Sequence, residues 1–229
     1  MIYITGDTHG NFQRIKEFCQ EQKTTKDDYL IILGDAGINY FGDQDNKLKE
    51  ELTKIPITFL CVYGNHEERP ENIKTYQEIN LFAGIMYQEK NYPNLLFFKD
   101  SEIYTILNKK VLVIGGAFSV NKDLMIERGY KWFKDEQPSE LIKKQTLNNL
   151  KENNYQVDYI LSHTCPYKYL PYEMFYVGVN QDKVDQSTEK FLDLIEELTD
   201  YHKWYCGHFH TDKVVDKMNF MFEGYKTLD

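Results

Sequence analysis

Arginine is scarce in this sequence, and basic residues are outnumbered by acidic ones. The chain of 229 residues has 27 basic and 36 acidic side chains, a formal net charge of −9. Its arginines are Arg14, Arg69 and Arg128 alone. Proteins that grip nucleic-acid backbones present clustered lysine and arginine, so this composition argues against nucleic acid as a partner. A metal site inside an acidic protein can still supply positive charge for a small phosphorylated substrate.

Paired cysteines and long apolar runs are also lacking. The four cysteines form no C-x-x-C pair, so neither a zinc ribbon nor a redox dithiol is suggested. Cys61 and Cys206 lie in apolar runs and are predicted to be buried thiols. No stretch approaches the length of a membrane span, and a polar motif at Gly6 leaves no room for a signal peptide. We therefore predict a cytoplasmic protein without a membrane partner; whether it has a protein partner cannot be read from the sequence.

Short apolar runs that resemble buried strands recur along the chain. They are Ile2–Thr5, Tyr29–Leu33, Thr58–Val62, Leu95–Phe98, Val111–Ile114, Tyr159–Leu161 and Lys203–Cys206. Helix-like spacing of apolar residues follows Asn11 and recurs in Gln145–Glu152 and Thr188–Leu198. This alternation predicts an α/β fold with substantial parallel sheet.

The C-terminal part of the chain has a different pattern. Val214–Val215 and Phe220–Phe222, parted by Lys217–Asn219, predict a β-hairpin. The sequence contains no internal repeat, low-complexity tract or linker. A single domain over residues 1–229 is therefore the simplest organisation.

Polar motifs follow five of the predicted strands. They are Gly6-Asp7-Thr8-His9-Gly10, Gly34-Asp35-Ala36-Gly37, Gly64-Asn65-His66-Glu67, Ser162-His163 and Gly207-His208-Phe209-His210. Open α/β sheets bind ligands beyond the carboxyl ends of their strands, so these motifs can converge. A lone Gly-Asp turn or a lone histidine would indicate little. Here five of the six histidines fall in these motifs, all but His202, and this joint occurrence indicates a site.

The residue types in the motifs suit divalent metals. Carboxylate oxygen and imidazole nitrogen are ligands for Mn, Fe, Zn and similar ions, and glycine lets the backbone turn sharply. Side-chain direction repeats every two residues of extended chain, so Asp7 and His9 are expected to point the same way. The same argument applies to His208 and His210. Asp35 could bridge two ions through its two oxygens.

The ordered motifs resemble the signature of the calcineurin-like metallophosphoesterase superfamily: Asp-x-His, Gly-Asp, Gly-Asn-His-Glu/Asp, a lone His and Gly-His-x-His. The resemblance spans Asp7 to His210. It implies a four-layer αββα sandwich, with two mixed β-sheets flanked by helices. It implies one metal ion held by Asp7, His9, Asp35 and His210, and a second held by Asp35, Asn65, His163 and His208.

The same resemblance implies an activity. The chain would hydrolyse a phosphate monoester or diester, small or nucleotide-like, by in-line attack of a hydroxide that bridges two metal ions. Asp35 would be shared between the ions, and His66 would steady or protonate the leaving oxygen. Mn, Fe, Zn, Ni or Mg could serve as the two ions, with Mn favoured.

Three positions depart from the protein Ser/Thr phosphatase branch of that superfamily. Ile38 and Asn39 stand where that branch has Asp and Arg, and Tyr63 stands where it has Arg before Gly-Asn-His. The departures argue against phosphoprotein phosphatase activity of that type. They also leave open what orients His66, for which Glu67 and Asp43 are candidates.

Some interpretations stay open at the level of sequence. Arg69 could reach a phosphate or could be a surface charge. Residues Ser119–Ser139, which include Arg128, could form a lid or substrate wall, or an insertion packed on the surface. Residues Thr164–Val179 could stack on a nucleobase or, as we slightly prefer, form a hydrophobic loop against the core. The aromatic residues of that segment are Tyr167, Tyr169, Tyr172, Phe175 and Tyr176.

Three other functions compete with a small-molecule phosphoesterase. One is a nuclease of the same superfamily, against which the acidic charge argues. Another is a non-catalytic metal-binding scaffold, which would be expected to lack some ligands, whereas this chain lacks none of them. The third is a structural metal site, but such sites are usually closed and rich in cysteine.

Overall fold

Runs of β-branched and aromatic residues form the central strands, as their composition predicts. The structure is a computed structural model that describes residues 1–175 and 177–229. Its strands are β1 (Ile2–Thr5), β2 (Tyr29–Ile32), β3 (Thr58–Cys61), β4 (Tyr76–Leu81), β5 (Gly84–Glu89), β6 (Leu95–Phe98), β7 (Ile103–Ile106), β8 (Lys109–Ile114), β9 (Tyr159–Ser162), β10 (Lys203–Cys206), β11 (Lys213–Val215), β12 (Met218–Phe220) and β13 (Lys226–Thr227). Its α-helices are α1 (Gln13–Gln22), α2 (Asn46–Leu52), α3 (Lys122–Glu127), α4 (Glu140–Glu152) and α5 (Ser187–Leu198).

The strands form two mixed sheets. The first has the order β13-β1-β2-β3-β6-β5-β4, and the second has the order β11-β12-β10-β9-β8-β7. Parallel pairing places Thr5 beside Ile32 and Ile32 beside Cys61. In the second sheet it places Ser162 beside Cys206. The carboxyl ends of the strands that precede the motifs are therefore level within each sheet.

Three apolar clusters define the layers. The first lies between the sheets and contains residues such as Ile31 and Leu161. Helices α1 and α2 cover the outer face of the first sheet, where Ile15 packs among buried strand residues. Helices α4 and α5 cover the second sheet, where Leu192 packs near Trp204. The four-layer αββα sandwich is confirmed.

The C-terminal hairpin has a different turn from the predicted one. Strands β11 and β12 pair with Val215 opposite Met218, so the turn is Asp216-Lys217, with Asp216 at φ 53°. Asn219 lies in a strand although it is polar. It is buried, and its amide nitrogen donates to the carbonyl oxygens of Trp204 (3.3 Å) and Lys217 (3.1 Å).

Arg69 does not face solvent, and it does not line the cavity beside the five polar motifs. Its side chain is buried and lies over the Tyr63 ring at 3.9 Å, and its Nη1 donates to Asp100 Oδ2 at 2.6 Å. Asp100 Oδ1 accepts from the Gly115 amide at 2.6 Å. This buried pair ties the loop after β3 to the end of β8 in the other sheet.

The predictions for the cysteines hold. All four are buried and free, and Cys61 and Cys206 are fully enclosed. Within the described residues, no helix has the length and apolar character needed to cross a membrane.

Candidate metal centre

Backbone hydrogen bonds lock the motifs to one another. The amides of Thr8 and His9 donate to the carbonyl oxygen of Asp35, at 3.2 and 2.8 Å. In the second sheet, the Gly207 amide donates to the carbonyl oxygen of His163 at 2.9 Å. The loops that carry the candidate ligands are thus fixed by contacts between neighbouring strand ends.

The motif glycines lie where the side chain of another motif passes. A Cβ on Gly34 would lie 2.1 Å from His163 Nδ1. A Cβ on Gly64 would lie 2.1 Å from Asp35 Oδ1, and one on Gly207 would lie 2.3 Å from Asp7 Oδ1. No larger residue fits at these three positions without displacing a candidate ligand.

Four candidate ligands have left-handed backbone conformations. The φ angles are 46° for His9, 48° for Asp35, 67° for His208 and 48° for His210. The expectation that Asp7 and His9, or His208 and His210, share a face of extended chain is therefore wrong. Tight turns after the strands aim these side chains inward, at a cost of about 1–3 kcal/mol per residue.

The Asp7 carboxylate is held at one oxygen and open at the other. Its Oδ1 accepts from the backbone amide of His208 at 2.9 Å. Its Oδ2 is buried, has no hydrogen-bond partner in the described structure, and lies 3.4 Å from His210 Nε2 and 3.8 Å from His9 Nε2. Burial opposes ionisation, but His210 and the other nearby histidines lower the pKa of this carboxyl below its usual value.

Asp35 repeats this arrangement. Its Oδ1 accepts from the backbone amide of His66 at 2.8 Å, and its Oδ2 lies 3.6 Å from His163 Nε2. Burial again opposes ionisation, but His163 holds the pKa of Asp35 well below its usual range. Both aspartates therefore present one free carboxylate oxygen, Oδ2, to histidine nitrogens.

His163 has its ring orientation fixed by a backbone carbonyl. Its Nδ1 lies 2.8 Å from the Leu33 carbonyl oxygen, which can only accept, so Nδ1 carries a proton. Its Nε2 then faces Asn65 Oδ1 at 2.8 Å and the Asp35 carboxylate. Burial lowers the pKa of His163, but the Asp35 charge outweighs it and raises this pKa to about 9.

The histidines near the mouth of the site also converge. The Nε2 atoms of His9 and His210 are 2.9 Å apart. The ring of His208 lies 4.9 Å from that of His163 between centroids, and burial together with His163 lowers the pKa of His208 to about 3. A neutral His208 keeps its ring nitrogen free to bind a metal.

The residues fit divalent cations. Ligand atoms of Asp7, His9 and His210 lie within 4.8 Å of one another, as do those of Asp7, Asp35 and His163. An open carboxylate oxygen on Asp7, beside imidazole nitrogens and the Asn65 amide oxygen, is the donor set that such ions prefer. The structure brings all seven sequence-predicted ligands to one place. That they bind metal stays a prediction.

The family comparison agrees with the fold and the motifs. A family model described as calcineurin-like phosphoesterase matches residues 1–212. The chain belongs to the calcineurin-like phosphoesterase family.

One curated relative of this chain is distant in sequence. An uncharacterized protein of Haemophilus influenzae is 27% identical over 138 residues, which cover 60% of this chain and 48% of that protein. The match thus spans about half the length of that relative.

Among the similar solved structures, one has a TM-score above 0.5 and supports the fold alone. One crystal structure shares 12% identity with this chain, over 96% of this chain and 88% of the other, with a TM-score of 0.53. The protein TT1561 of Thermus thermophilus shares 12% identity over 90% and 80% of the two chains, with a TM-score of 0.48. Phosphopantetheinyl hydrolase (PptH) of Mycobacterium tuberculosis shares 11% identity over 96% and 87%, with a TM-score of 0.49.

Asn65 is oriented by a residue that the motifs do not include. Asn65 Nδ2 donates to Ser119 Oγ at 2.8 Å, which leaves Asn65 Oδ1 facing His163. Ser119 is held in turn, since its amide donates to Glu136 Oε1 at 3.2 Å and Trp132 Nε1 donates to Glu136 Oε2 at 2.7 Å. Ser119 stands 54 residues from Asn65, and no local pattern marks it.

Neither candidate for orienting His66 does so. Glu67 is fully buried, and its Oε1 accepts from the Gly64 amide at 3.0 Å. Asp43 is exposed in a short 3-10 helix, Gly42–Asp45. Among the described contacts, neither carboxylate bonds the His66 ring, which is half-buried at a centroid distance of 6.0 Å from His9.

A cavity of about 230 Å³ opens beside the candidate ligands. Residues Phe118 to Asn121 form one wall of this cavity. The start of the Ser119–Ser139 segment therefore lines the cavity, whereas Arg128, later in that segment, is exposed. From the Thr164–Val179 segment, Phe175 lines the cavity, and Tyr167 and Tyr169 pack against the core. Tyr172 is exposed, and Tyr176 lies outside the described residues.

The Asp35–His163 pair predicts a pH dependence for the metal-free protein. Because the folded-state pKa of His163 is raised from 6.5 to about 9, the pair stabilises the fold fully below pH 6.5. This contribution is lost as the pH rises through about 9. We expect the melting temperature in chelator to fall over this range, and to fall much less for His163→Gln.

His202→Gln is the matched control, because His202 is exposed and outside the motifs. This variant should keep the alkaline decline of the parent chain. Equal declines for the parent and His163→Gln would show that the pair does not stabilise the metal-free fold.

Proposed function

We propose that the chain is a dinuclear-metal-dependent phosphoesterase that hydrolyses a phosphate monoester or diester, with a small or nucleotide-like molecule as its substrate. The observation that carries this proposal is the open, buried Asp7 Oδ2, which faces two histidine nitrogens beside the Asp35–His163 pair. A buried ionised oxygen is stabilised by a positive partner, which a metal ion held between these side chains would supply. Membership of the phosphoesterase family supports the same reaction class.

The ligands would divide between two ions. The first set is Asp7, His9, Asp35 and His210, and the second is Asp35, Asn65, His163 and His208. Since Asp35 Oδ1 accepts from the His66 amide, Oδ2 is the oxygen more open to a shared role. Mn is favoured, although carboxylate, amide and imidazole ligands also accept Fe, Zn, Ni or Mg.

Metal ions supply two things in such a site: they lower the pKa of water, and they polarise phosphoryl oxygens. The protein residues do the rest. Leu33 and Ser119 fix the donor atoms of His163 and Asn65 before substrate arrives. His66 lies at the cavity, half-buried beside His9, and in this proposal it would give a proton to the leaving oxygen.

The substrate is proposed to be small. The position that carries a phosphate-gripping arginine in the protein Ser/Thr phosphatases is Asn39, which is buried and accepts from the Tyr76 hydroxyl at 3.1 Å. A buried, uncharged asparagine at this position cannot bind the phosphate group of a phosphoprotein as that arginine does. The net charge of −9 argues against the alternative of a nuclease. A single domain over residues 1–229 and a cytoplasmic location stay predictions.

Hydrolysis assays test the proposal. Metal-stripped protein, restored with Mn²⁺, Ni²⁺, Zn²⁺ or Mg²⁺ one at a time, should hydrolyse bis(p-nitrophenyl) phosphate or p-nitrophenyl phosphate. Asp35→Asn should lower kcat/KM by about 100-fold or more, because it removes the charge of the shared ligand. His66→Gln should lower kcat by about 100-fold or more while the bound metal content stays the same.

His202→Gln, outside the site, is the control for both variants. Unchanged turnover in His66→Gln would remove that residue from the mechanism. Two bound ions without turnover of either ester would favour a binding scaffold over an enzyme.

The Ser119 contact predicts an effect on metal affinity. Ser119→Ala removes the acceptor for Asn65 Nδ2, so the amide oxygen is no longer held toward His163. We expect the affinity for the weaker-bound Mn²⁺ ion to fall about 10- to 100-fold in calorimetric titration. Ser119→Thr keeps the hydroxyl and should therefore keep most of the Mn²⁺ affinity.

Thr146→Ala is the control, because it removes a buried hydroxyl that bonds only within α4, to the Ile142 carbonyl. Mn²⁺ affinity should be unaffected by this change. An equal loss in Thr146→Ala and Ser119→Ala would indicate general destabilisation in place of Asn65 positioning.

A further inference from the structure

The cavity beside the candidate metal centre has two unlike halves. One half is formed by candidate ligands together with His66. The other is formed by residues 118–121, by Phe209 and by eight residues that lie between Leu170 and Glu189: Leu170, Met174, Phe175, Val179, Gln181, Val184, Gln186 and Glu189. Its volume of about 230 Å³ exceeds what one aromatic ring needs, since an engineered cavity of about 150 Å³ holds benzene. The second half is the part of this cavity that an organic group of the substrate would enter when the phosphate lies beside the candidate ligands.

The walls of this second half are mainly apolar. They include Phe118, Val120, Leu170, Met174, Phe175 and Phe209. The Phe175 and Phe209 rings are nearly parallel, at 18°, with centroids 6.5 Å apart. Phe209 also meets the His208 ring edge-on at 4.9 Å, so the apolar wall continues directly to the metal ligands. An apolar group that displaces water from these faces gains binding energy in proportion to the area it buries.

The charges that line the cavity limit the negative charge that the phosphate group of the substrate can carry. Among its described lining residues none is lysine or arginine, and Glu189 contributes a buried carboxyl. Glu189 Oε1 accepts from the Thr164 hydroxyl at 2.9 Å, and burial raises the pKa of this carboxyl to about 7. The cavity therefore offers no lysine or arginine to pair with phosphate charge beyond what the metal ions would balance, and an unpaired buried charge is costly. A diester carries one negative charge, whereas a monoester near neutral pH carries nearly two.

We propose, on the basis of the phosphoesterase function above, that the substrate is a phosphodiester with one phosphorus atom, and that one apolar or aromatic ester group fills the cavity lined by Phe118, Phe175 and Phe209. Hydrolysis adds water across one P–O bond. The water oxygen joins phosphorus, one of its protons goes to the leaving oxygen, and the products are a phosphomonoester and an alcohol.

A matched series of esters tests the proposal on the Mn²⁺-loaded chain. Phenyl p-nitrophenyl phosphate and methyl p-nitrophenyl phosphate share a leaving group and a charge, and differ in the second ester group. We expect kcat/KM for the phenyl ester to be about 10-fold higher or more. p-Nitrophenyl phosphate, the monoester, should be a poorer substrate than the phenyl diester.

Variants of the cavity show whether the phenyl-to-methyl preference comes from binding in the cavity or from the intrinsic chemical reactivity of the two esters. Phe175→Ala removes one wall, and should reduce the phenyl-to-methyl preference at least about 5-fold. Met174→Trp fills part of the cavity from an exposed position, so it should also reduce this preference without a risk to folding. Phe41→Ala is the control, because Phe41 is exposed and does not line the cavity.

Binding provides a readout that does not depend on turnover. Diphenyl phosphate should bind the Mn²⁺-loaded chain about 10-fold more tightly than dimethyl phosphate in calorimetry, and less so in Phe175→Ala. Equal binding of the two diesters, a preference unchanged by both cavity variants, or preference for the monoester would each overturn this inference while leaving the phosphoesterase proposal intact. Absence of hydrolysis of every ester with every metal would instead overturn the proposed function.

Discussion

Two aspartate carboxylates, each anchored by one backbone amide, determine the geometry of the site. Asp7 Oδ1 accepts from the His208 amide, which joins the first sheet to the second, and Asp35 Oδ1 accepts from the His66 amide. In both, Oδ2 is left facing histidine nitrogens. Two other features of the site make these hydrogen bonds possible. The motif glycines leave room for the carboxylates, and the level strand ends bring the backbone amides within hydrogen-bonding distance of them.

The arrangement is costly without a cation. Four candidate ligands have positive φ angles, and two carboxylates are ionised where burial opposes it. The Asp35 carboxylate raises the pKa of His163, so in the metal-free site a proton on this imidazole would balance part of the negative charge. Strain and buried charge persist at a functional site when the surrounding structure fixes them, and here the interlocked motifs do so. A divalent ion would offset the cost by replacing that proton.

The αββα architecture was predicted from the resemblance of the motifs to a family signature, and the seven candidate ligands lie together because each motif directly follows an apolar strand. The turns that orient the candidate ligands could not be predicted from the sequence, because the residue types of His9 and His208 do not indicate a positive φ angle. Sequence reasoning missed Ser119, whose contact with Asn65 depends on tertiary packing. It also missed β4, an edge strand with exposed polar residues, and misplaced the hairpin turn because Asn219 resembles a turn residue. Burial and hydrogen bonding override local preference at such positions.

The most direct test of the central claim is anomalous scattering from crystals of the full chain grown with Mn²⁺. We expect two peaks about 3.5–4 Å apart. One peak should lie beside Asp7, His9 and His210, the other beside Asn65, His163 and His208, and Asp35 should contact both. A single peak, or peaks away from these residues, would contradict a dinuclear centre held by the five strand-end motifs.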